Sequence, residues 1–249
     1  MEMYVDEDIQ RYEREGYAVF RNVLDPALMR QVNEHVAWLL TKPGVTPENI
    51  GHHERSSDPF WLNLVGDDRL LDIAEKFIGP DIALFASAYV SKPPRDGMPV
   101  LWHQDGSYWP IEPMKVVSLW LAVDDATPEN GCMRVIPGTH RSDLGSLIPR
   151  SDIANVLGSS MDETLIDESK SVDVILKSGD VSVHHPNIFH GSKANLSDKR
   201  RCGLTIRYIP TTSRIVLEGN AFEPLAVNGK WPSAFHLRGA RGVEQYNTI

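Results

Sequence analysis

Nine histidines stand in a chain of 249 residues, and two groups of them are spaced for metal chemistry. The first is His103-Gln104-Asp105, inside LWHQDGSYWP. On a strand, residues i and i+2 project to one side, so His103 and Asp105 would share a face while Gln104 points away. An imidazole and a carboxylate on one face are two parts of the 2-His-1-carboxylate triad, which holds Fe(II) and leaves positions open. The same pair also reads as a plain His–Asp hydrogen bond at a strand end. The second group lies far downstream in SVHHPNIFHGSKANLSDKRR, which offers His184, His185 and His190. Two arginines close that stretch. If Arg201 points inward, period-two alternation takes Gly203, Thr205 and Arg207 with it. That face is polar for a core. A guanidinium buried on it needs an anion, and bidentate pairing with a carboxylate suits it best. A co-substrate with a terminal carboxylate would supply one.

The elements that must position these residues fall into two styles. Asp6 or Asp8 can start a charged helix that Gly16 ends after Glu15, and Tyr17 to Val23 has strand character. Asp25-Pro26 opens a second helix, with Leu28, Val32, Val36 and Leu39 on one face. Residues 42–60 read as a long loop, a length at which function is common. Leu70 to Ile78 is a further amphipathic helix, closed by Gly79-Pro80. From residue 81 short strands follow: Ile82–Ser91, Pro99–Gln104, Val116–Val123, Cys132–Ile136, Val172–Lys177, Val181–His184 and Cys202–Ile209. Strands broken by turn residues, after helices and not alternating with them, predict an α+β, mainly β chain in which helices buttress a sandwich, jelly roll or barrel. Segment 141–170 reads as an irregular polar loop with a helical piece. The whole chain, 1–249, is expected to be one domain, with a helical part over 1–80, a core over 81–210 and an extension over 211–249.

Composition removes other classes. Lys+Arg 25 against Asp+Glu 34 gives a net charge of −9, the wrong sign for a nucleic-acid binder. No apolar run approaches the roughly 18–20 residues of a membrane helix. The start MEMYVDEDIQ is acidic where a signal peptide would be basic and then apolar, so a cytoplasmic protein is expected. Cys132 and Cys202 read as buried thiols of a reducing compartment. Asn195-Leu196-Ser197 is formally a glycosylation sequon, but here it reads as chance or structure. Oligomeric state leaves no mark on the sequence.

The stretches SKPPRDG, WHQDGSYWP, WLAVDDATPENGCMRVIPGTH and HPNIFHGSKANLSDKRRCGLTIRY, in this order, resemble the phytanoyl-CoA dioxygenase family of Fe(II)/2-oxoglutarate-dependent oxygenases. The similarity covers roughly residues 8–210. It implies a double-stranded β-helix (jelly-roll, cupin-like) core. It also implies that His103, Asp105 and His190 ligate iron and that Arg201 grips the distal carboxylate of 2-oxoglutarate. Ser192 and Trp120 match positions lining that co-substrate. The implied activity uses Fe(II), 2-oxoglutarate and O2, releases succinate and CO2, and hydroxylates an unactivated C–H bond. Related halogenases replace the carboxylate ligand with a small residue, so Asp105 points to oxygenation. Desaturation, epoxidation or rearrangement start from the same oxidant.

Beside the resemblance, His184, His185 and His140 read as structural, and only one of Arg200 and Arg201 can face inward. Trp120 shares a face with Ser118 and Ala122, opposite the apolar Val117, Leu119, Leu121 and Val123. Tyr108, Trp109, Trp61 and His52, the last in a loop with His53 and Arg55, are candidates for a substrate pocket and its lid. Arg207 is a candidate for an anionic substrate group, unless a bulge turns it outward. The expected substrate is a small free molecule, a specialised metabolite or modified amino acid. The net charge leans against an acyl-CoA. A non-catalytic jelly-roll metal or ligand binder is the reading from another class.

Overall fold

The computed structural model describes residues 6–48, 50, 58–216 and 235–239. Four helices come early: α1 (Asp6–Glu15), α2 (Pro26–Leu39), α3 (Pro59–Val65) and α4 (Asp68–Ile78). The Asp25-Pro26 signal works as expected. The Asp25 carboxylate accepts from the backbone N–H of Ala27 and Leu28 at 2.9 and 3.0 Å, satisfying donors that the first turn cannot pair internally. The same grammar recurs at Asp58-Pro59, which starts α3 inside the stretch read as a loop.

Ten strands build two sheets: β1 (Tyr17–Phe20), β2 (Ile82–Lys92), β3 (Val100–His103), β4 (Val117–Ala122), β5 (Met133–Ile136), β6 (Val172–Asp173), β7 (Val181–His184), β8 (Phe189–Ser192), β9 (Arg201–Pro210) and β10 (Phe235–Arg238). The six-stranded sheet runs β1-β7-β4-β9-β2-β10 and the four-stranded sheet β3-β8-β5-β6, with antiparallel pairs throughout. Together they form the jelly roll. One strand from the helical part and one from the extension edge the larger sheet, so all three stretches contribute to one architecture. The strand expected over Tyr17–Val23 stops at Phe20, and Asn22 takes φ 53°. The strand expected over Val172–Lys177 is only two residues long, with a single further bridge from Leu176 to Ala126.

Alternation divides the large sheet into two faces. Val117, Leu119 and Leu121 of β4, Val181 and Val183 of β7, and Cys202, Leu204, Ile206 and Tyr208 of β9 are buried in one cluster with α2 and α4. Each such side chain removed from water stabilises by roughly 1.5–3 kcal/mol. The opposite face of the same strands carries Ser118, Trp120, Ser182, His184, Arg201, Thr205 and Arg207, all but Arg207 buried. The helices thus hold one face rigid so that the other can carry polar groups between the sheets.

Candidate active site

His103 ends β3, and the chain enters a 3-10 turn over Asp105–Tyr108. Asp105 therefore reaches His103 through a turn, where strand alternation was expected. Gln104 pins that turn. Its Nε2 donates to the carbonyls of Asn187 (2.9 Å) and Asp143 (3.2 Å), and its Oε1 accepts from Gly145 N (2.8 Å). The Gly106 N–H donates to Pro186 O at 2.8 Å, tying the turn to the segment that leads into β8. His190 stands opposite His103 in the β8–β3 register, ring centroids 4.0 Å apart.

Each imidazole has one nitrogen committed. His103 Nδ1 lies 2.8 Å from Leu101 O and His190 Nδ1 3.0 Å from Ile188 O. A carbonyl only accepts, so Nδ1 carries the proton and Nε2 presents a lone pair. The Nε2 atoms of His103 and His190 lie 3.5 and 3.9 Å from Asp105 Oδ1. The ligand atoms of His103, Asp105 and His190 lie within 4.8 Å of one another, and no other group among the described residues is so arranged. Burial works against charge on Asp105, but Arg207 and the surrounding imidazoles overcome it and hold the carboxyl well below its usual range. Burial, with His103 beside it, pushes His190 well below its usual value and keeps it neutral. Two imidazoles with Nδ1 committed to carbonyls and Nε2 facing one carboxylate are a donor set that fits a divalent cation such as Fe(II).

Arg201 lies on the inner face of β9, buried, with its guanidinium 5.4 Å from the Trp120 ring. Among the described residues its Nε has no hydrogen-bond partner, and Nη1 donates to Val90 O at 3.4 Å. Burial pushes it down to about 10. An uncompensated buried guanidinium is costly, and a carboxylate entering the cavity would relieve it. Arg200 turns outward instead, pairing with Asp124 at 2.7 Å and with Asn33. Lys92, opposite Arg201 in the ladder, is buried, and its Nζ donates to the carbonyls of Ser192 and Lys193. Its burial, with Arg201 adjacent, pushes it down to about 6. Arg201, Ser192, Trp120 and the three triad residues line one cavity of about 110 Å3, with Val156 and Leu157 of segment 141–170 at its edge.

A family model described as phytanoyl-CoA dioxygenase (PhyH) matches residues 12–203. The chain belongs to the phytanoyl-CoA dioxygenase family. Iron and 2-oxoglutarate are the cofactor and co-substrate of these oxygenases, and the triad and Arg201 fit the two. Phytanoyl-CoA dioxygenase domain-containing protein 1 of Bos taurus is 29% identical over 188 residues, 74% of this chain and 65% of that protein. Phytanoyl-CoA dioxygenase 1 of Oryza sativa subsp. japonica is 35% identical over 162 residues, 65% of this chain and 57% of that one. The chain thus spans under two thirds of the length of these relatives. A crystal structure of EctD from S. alaskensis with 2-oxoglutarate and 5-hydroxyectoine superimposes with a TM-score of 0.74 at 21% identity, over 99% of this chain and 88% of that one.

In this phytanoyl-CoA dioxygenase family member the remaining candidates divide. Arg207 faces the cavity, with Nε 3.7 Å from Asp105 Oδ2. The strand pair does carry a bulge beside it, but the register shows the extra residue in β2, so alternation along β9 is undisturbed. Trp109 lies under Arg207 at 5.1 Å and meets Phe85 edge-on. Tyr108 is buried, its ring edge-on to His103 and its hydroxyl 2.8 Å from Ser159 Oγ. Trp61, on α3, is buried in the apolar cluster with α2 and α4 and is not among the described residues that line the cavity. His52, His53 and Arg55 lie outside the described residues.

His184 was read as structural, yet it lines the cavity with Nε2 3.5 Å from Asp105 Oδ2 and its ring 4.9 Å from His190. The signal was present: in VSVH the valines face the core, so Ser182 and His184 face the other way. His185 and His140 stay outside the cavity. His185 Nδ1 accepts from Asn187 N at 3.0 Å, and His140 Nε2 lies 3.1 Å from Glu13 O. A larger recess of about 400 Å3 lies along β3 beside Trp102, Arg134 and Glu168. Those side chains already bond one another, and no triad residue lines it.

Proposed function

We propose that this chain is an Fe(II)- and 2-oxoglutarate-dependent dioxygenase that hydroxylates an unactivated C–H bond of a small molecule, releasing succinate and CO2. The observation that carries the reading is the buried, uncompensated Arg201 guanidinium in the same cavity as the two Nε2 atoms and Asp105 Oδ1. A metal triad alone serves many chemistries; a triad facing an unsatisfied carboxylate grip suits a chelating keto-acid. When bound, iron with 2-oxoglutarate and O2 supplies the C–H oxidation.

The residues supply the rest. His103 and His190 offer Nε2 because the carbonyls of Leu101 and Ile188 hold their other nitrogens. Asp105 offers Oδ1, while its Oδ2 faces His184 and Arg207. Arg201 and Ser192 would hold the far carboxylate of 2-oxoglutarate, with the Trp120 ring beside Arg201. Val100, Met133, Val156 and Leu157 give the cavity apolar walls that limit water. The net charge of −9 weighs against a CoA thioester with its several phosphates.

The test is succinate formation from 2-oxoglutarate with Fe(II) and ascorbate, across a panel of small molecules, for wild type and His103→Ala. Wild type should form succinate and bind iron while the variant does neither. If neither protein forms succinate and wild type binds no iron, the enzyme reading fails.

A further inference from the structure

The geometry points to Arg207 as the reader of an anionic group on the substrate. We infer that the substrate is a small molecule carrying one carboxylate-type oxyanion. This rests on the oxygenase reading above and deepens it.

Arg201 and Arg207 share the inner face of β9, roughly 20 Å apart along the strand at the usual rise. Each lies over a tryptophan, Arg201 at 5.4 Å from Trp120 and Arg207 at 5.1 Å from Trp109. Only Arg207 approaches the triad carboxylate. With 2-oxoglutarate reaching from the metal towards Arg201, the Arg207 end is left for the substrate.

The Arg207 donors are mostly unused. Nη1 donates to Thr205 Oγ1 at 3.2 Å, while the buried Nε has no hydrogen-bond partner among the described residues. The 3.7 Å to Asp105 Oδ2 is an ion-pair contact too long for a hydrogen bond. A planar fork in this state suits a two-oxygen anion. Charge agrees. The two charges of iron balance the two carboxylates of 2-oxoglutarate, and Asp105 balances Arg201. Histidines that ligate iron do so through a deprotonated ring nitrogen and add no charge. Lys92 is not among the cavity-lining residues, its Nζ donating to the Ser192 and Lys193 carbonyls. One positive charge, that of Arg207, remains in a cavity that, among the described residues, is lined by no acidic side chain besides Asp105. Trp109 beneath it, and Val156 and Leu157 at the cavity edge, leave room for a short apolar body beside the anion.

Arg207 could instead serve only to position Asp105, and the experiment must separate the two roles. Anaerobic protein loaded with Fe(II) and saturating 2-oxoglutarate is titrated with acetate, propionate, butyrate and benzoate, each against its primary amide. The visible iron-to-keto-acid charge-transfer band reports occupation beside the metal. Wild type should bind carboxylates about ten-fold or more tightly than amides, the scale of a charge-assisted hydrogen-bond pair. Arg207→Gln should lose that preference while still developing the band at saturating Fe(II) and 2-oxoglutarate, and Arg207→Lys should regain part of it. The proposal is overturned if no carboxylate outbinds its amide, if Arg207→Gln keeps the preference, or if its main effect is weaker iron binding. Failure of wild type to form the band at all would instead sink the underlying oxygenase reading.

Discussion

Gly203 lies directly beneath the indole of Trp120: a Cβ built on Gly203 would stand 2.0 Å from Trp120 Cζ2. The two residues face each other across β9 and β4, where Gly203 pairs with Ala122 and Thr205 with Trp120. The absence of a side chain at 203 lets the ring lie across the strand and reach Arg201. Gly203→Ala should therefore displace Trp120, costing about 1–3 kcal/mol as overpacking does. Thermal unfolding and 2-oxoglutarate titration should both move, with lower Tm and weaker binding. An alanine variant matching wild type in both would show that the ring position does not matter.

The adjacent arginines predict opposite behaviour. Arg200 is bonded to Asp124 and Asn33, so Arg200→Ala should lower Tm, losing about 1–3 kcal/mol, while leaving 2-oxoglutarate affinity near wild type. Arg201 carries a buried charge without a carboxylate, so Arg201→Met should leave the Tm of ligand-free protein equal or higher. The same variant should bind 2-oxoglutarate far more weakly. If Arg201→Met unfolds as readily as Arg200→Ala, its charge is paired in a way this account omits.

Asp58 should contribute to the acid sensitivity of the fold. Its Oδ1 accepts from the N–H groups of Phe60 and Trp61 at 3.0 and 3.2 Å, and Oδ2 lies 2.8 Å from His35 Nε2. Burial opposes its charge, yet His35 and these N–H groups hold the carboxyl below its usual value. A carboxyl depressed in the folded state contributes stability above its unfolded pKa, and that contribution fades as pH falls through the folded value. Asp58→Ala should cost about 0.5–2 kcal/mol at neutral pH, the scale of a lost N-cap. The gap in Tm between variant and wild type should narrow below about pH 4. A gap that stays constant down to pH 3 would exclude this role.

Much of this was legible before any coordinates. Period-two alternation along β9 placed Arg201, Thr205 and Arg207 on one face, because a long central strand cannot slip register without burying the wrong side chains. Asp25-Pro26 gave the start of α2. Asp58-Pro59 carried the same signal, but the surrounding Gly, His and Ser hid it. Position of Asp105 was reached for the wrong reason, since a clamped turn and not a strand brings it to His103. That depends on Gln104 bonding Asn187 and Asp143, contacts across the fold that no local pattern announces. The burial of Trp61 in the apolar cluster was likewise hidden, because aromatic residues near a loop look alike whether they face a pocket or a core. The Asn195 sequon resolves into structure. Its buried Nδ2 donates to the carbonyls of Lys92, Pro93 and Lys199, which leaves no site for a glycan without unmaking that corner.

The central claim is that His103, Asp105 and His190 hold iron while Arg201 holds the far end of 2-oxoglutarate. Anaerobic titration of metal-free protein with Fe(II) and then 2-oxoglutarate, followed by the visible charge-transfer band, tests both halves at once. Wild type should develop the band at one equivalent of iron, His190→Ala should not, and Arg201→Met should require about ten-fold or more 2-oxoglutarate, as loss of a charge-assisted pair predicts. A band of equal strength and midpoint in all three proteins would contradict the account.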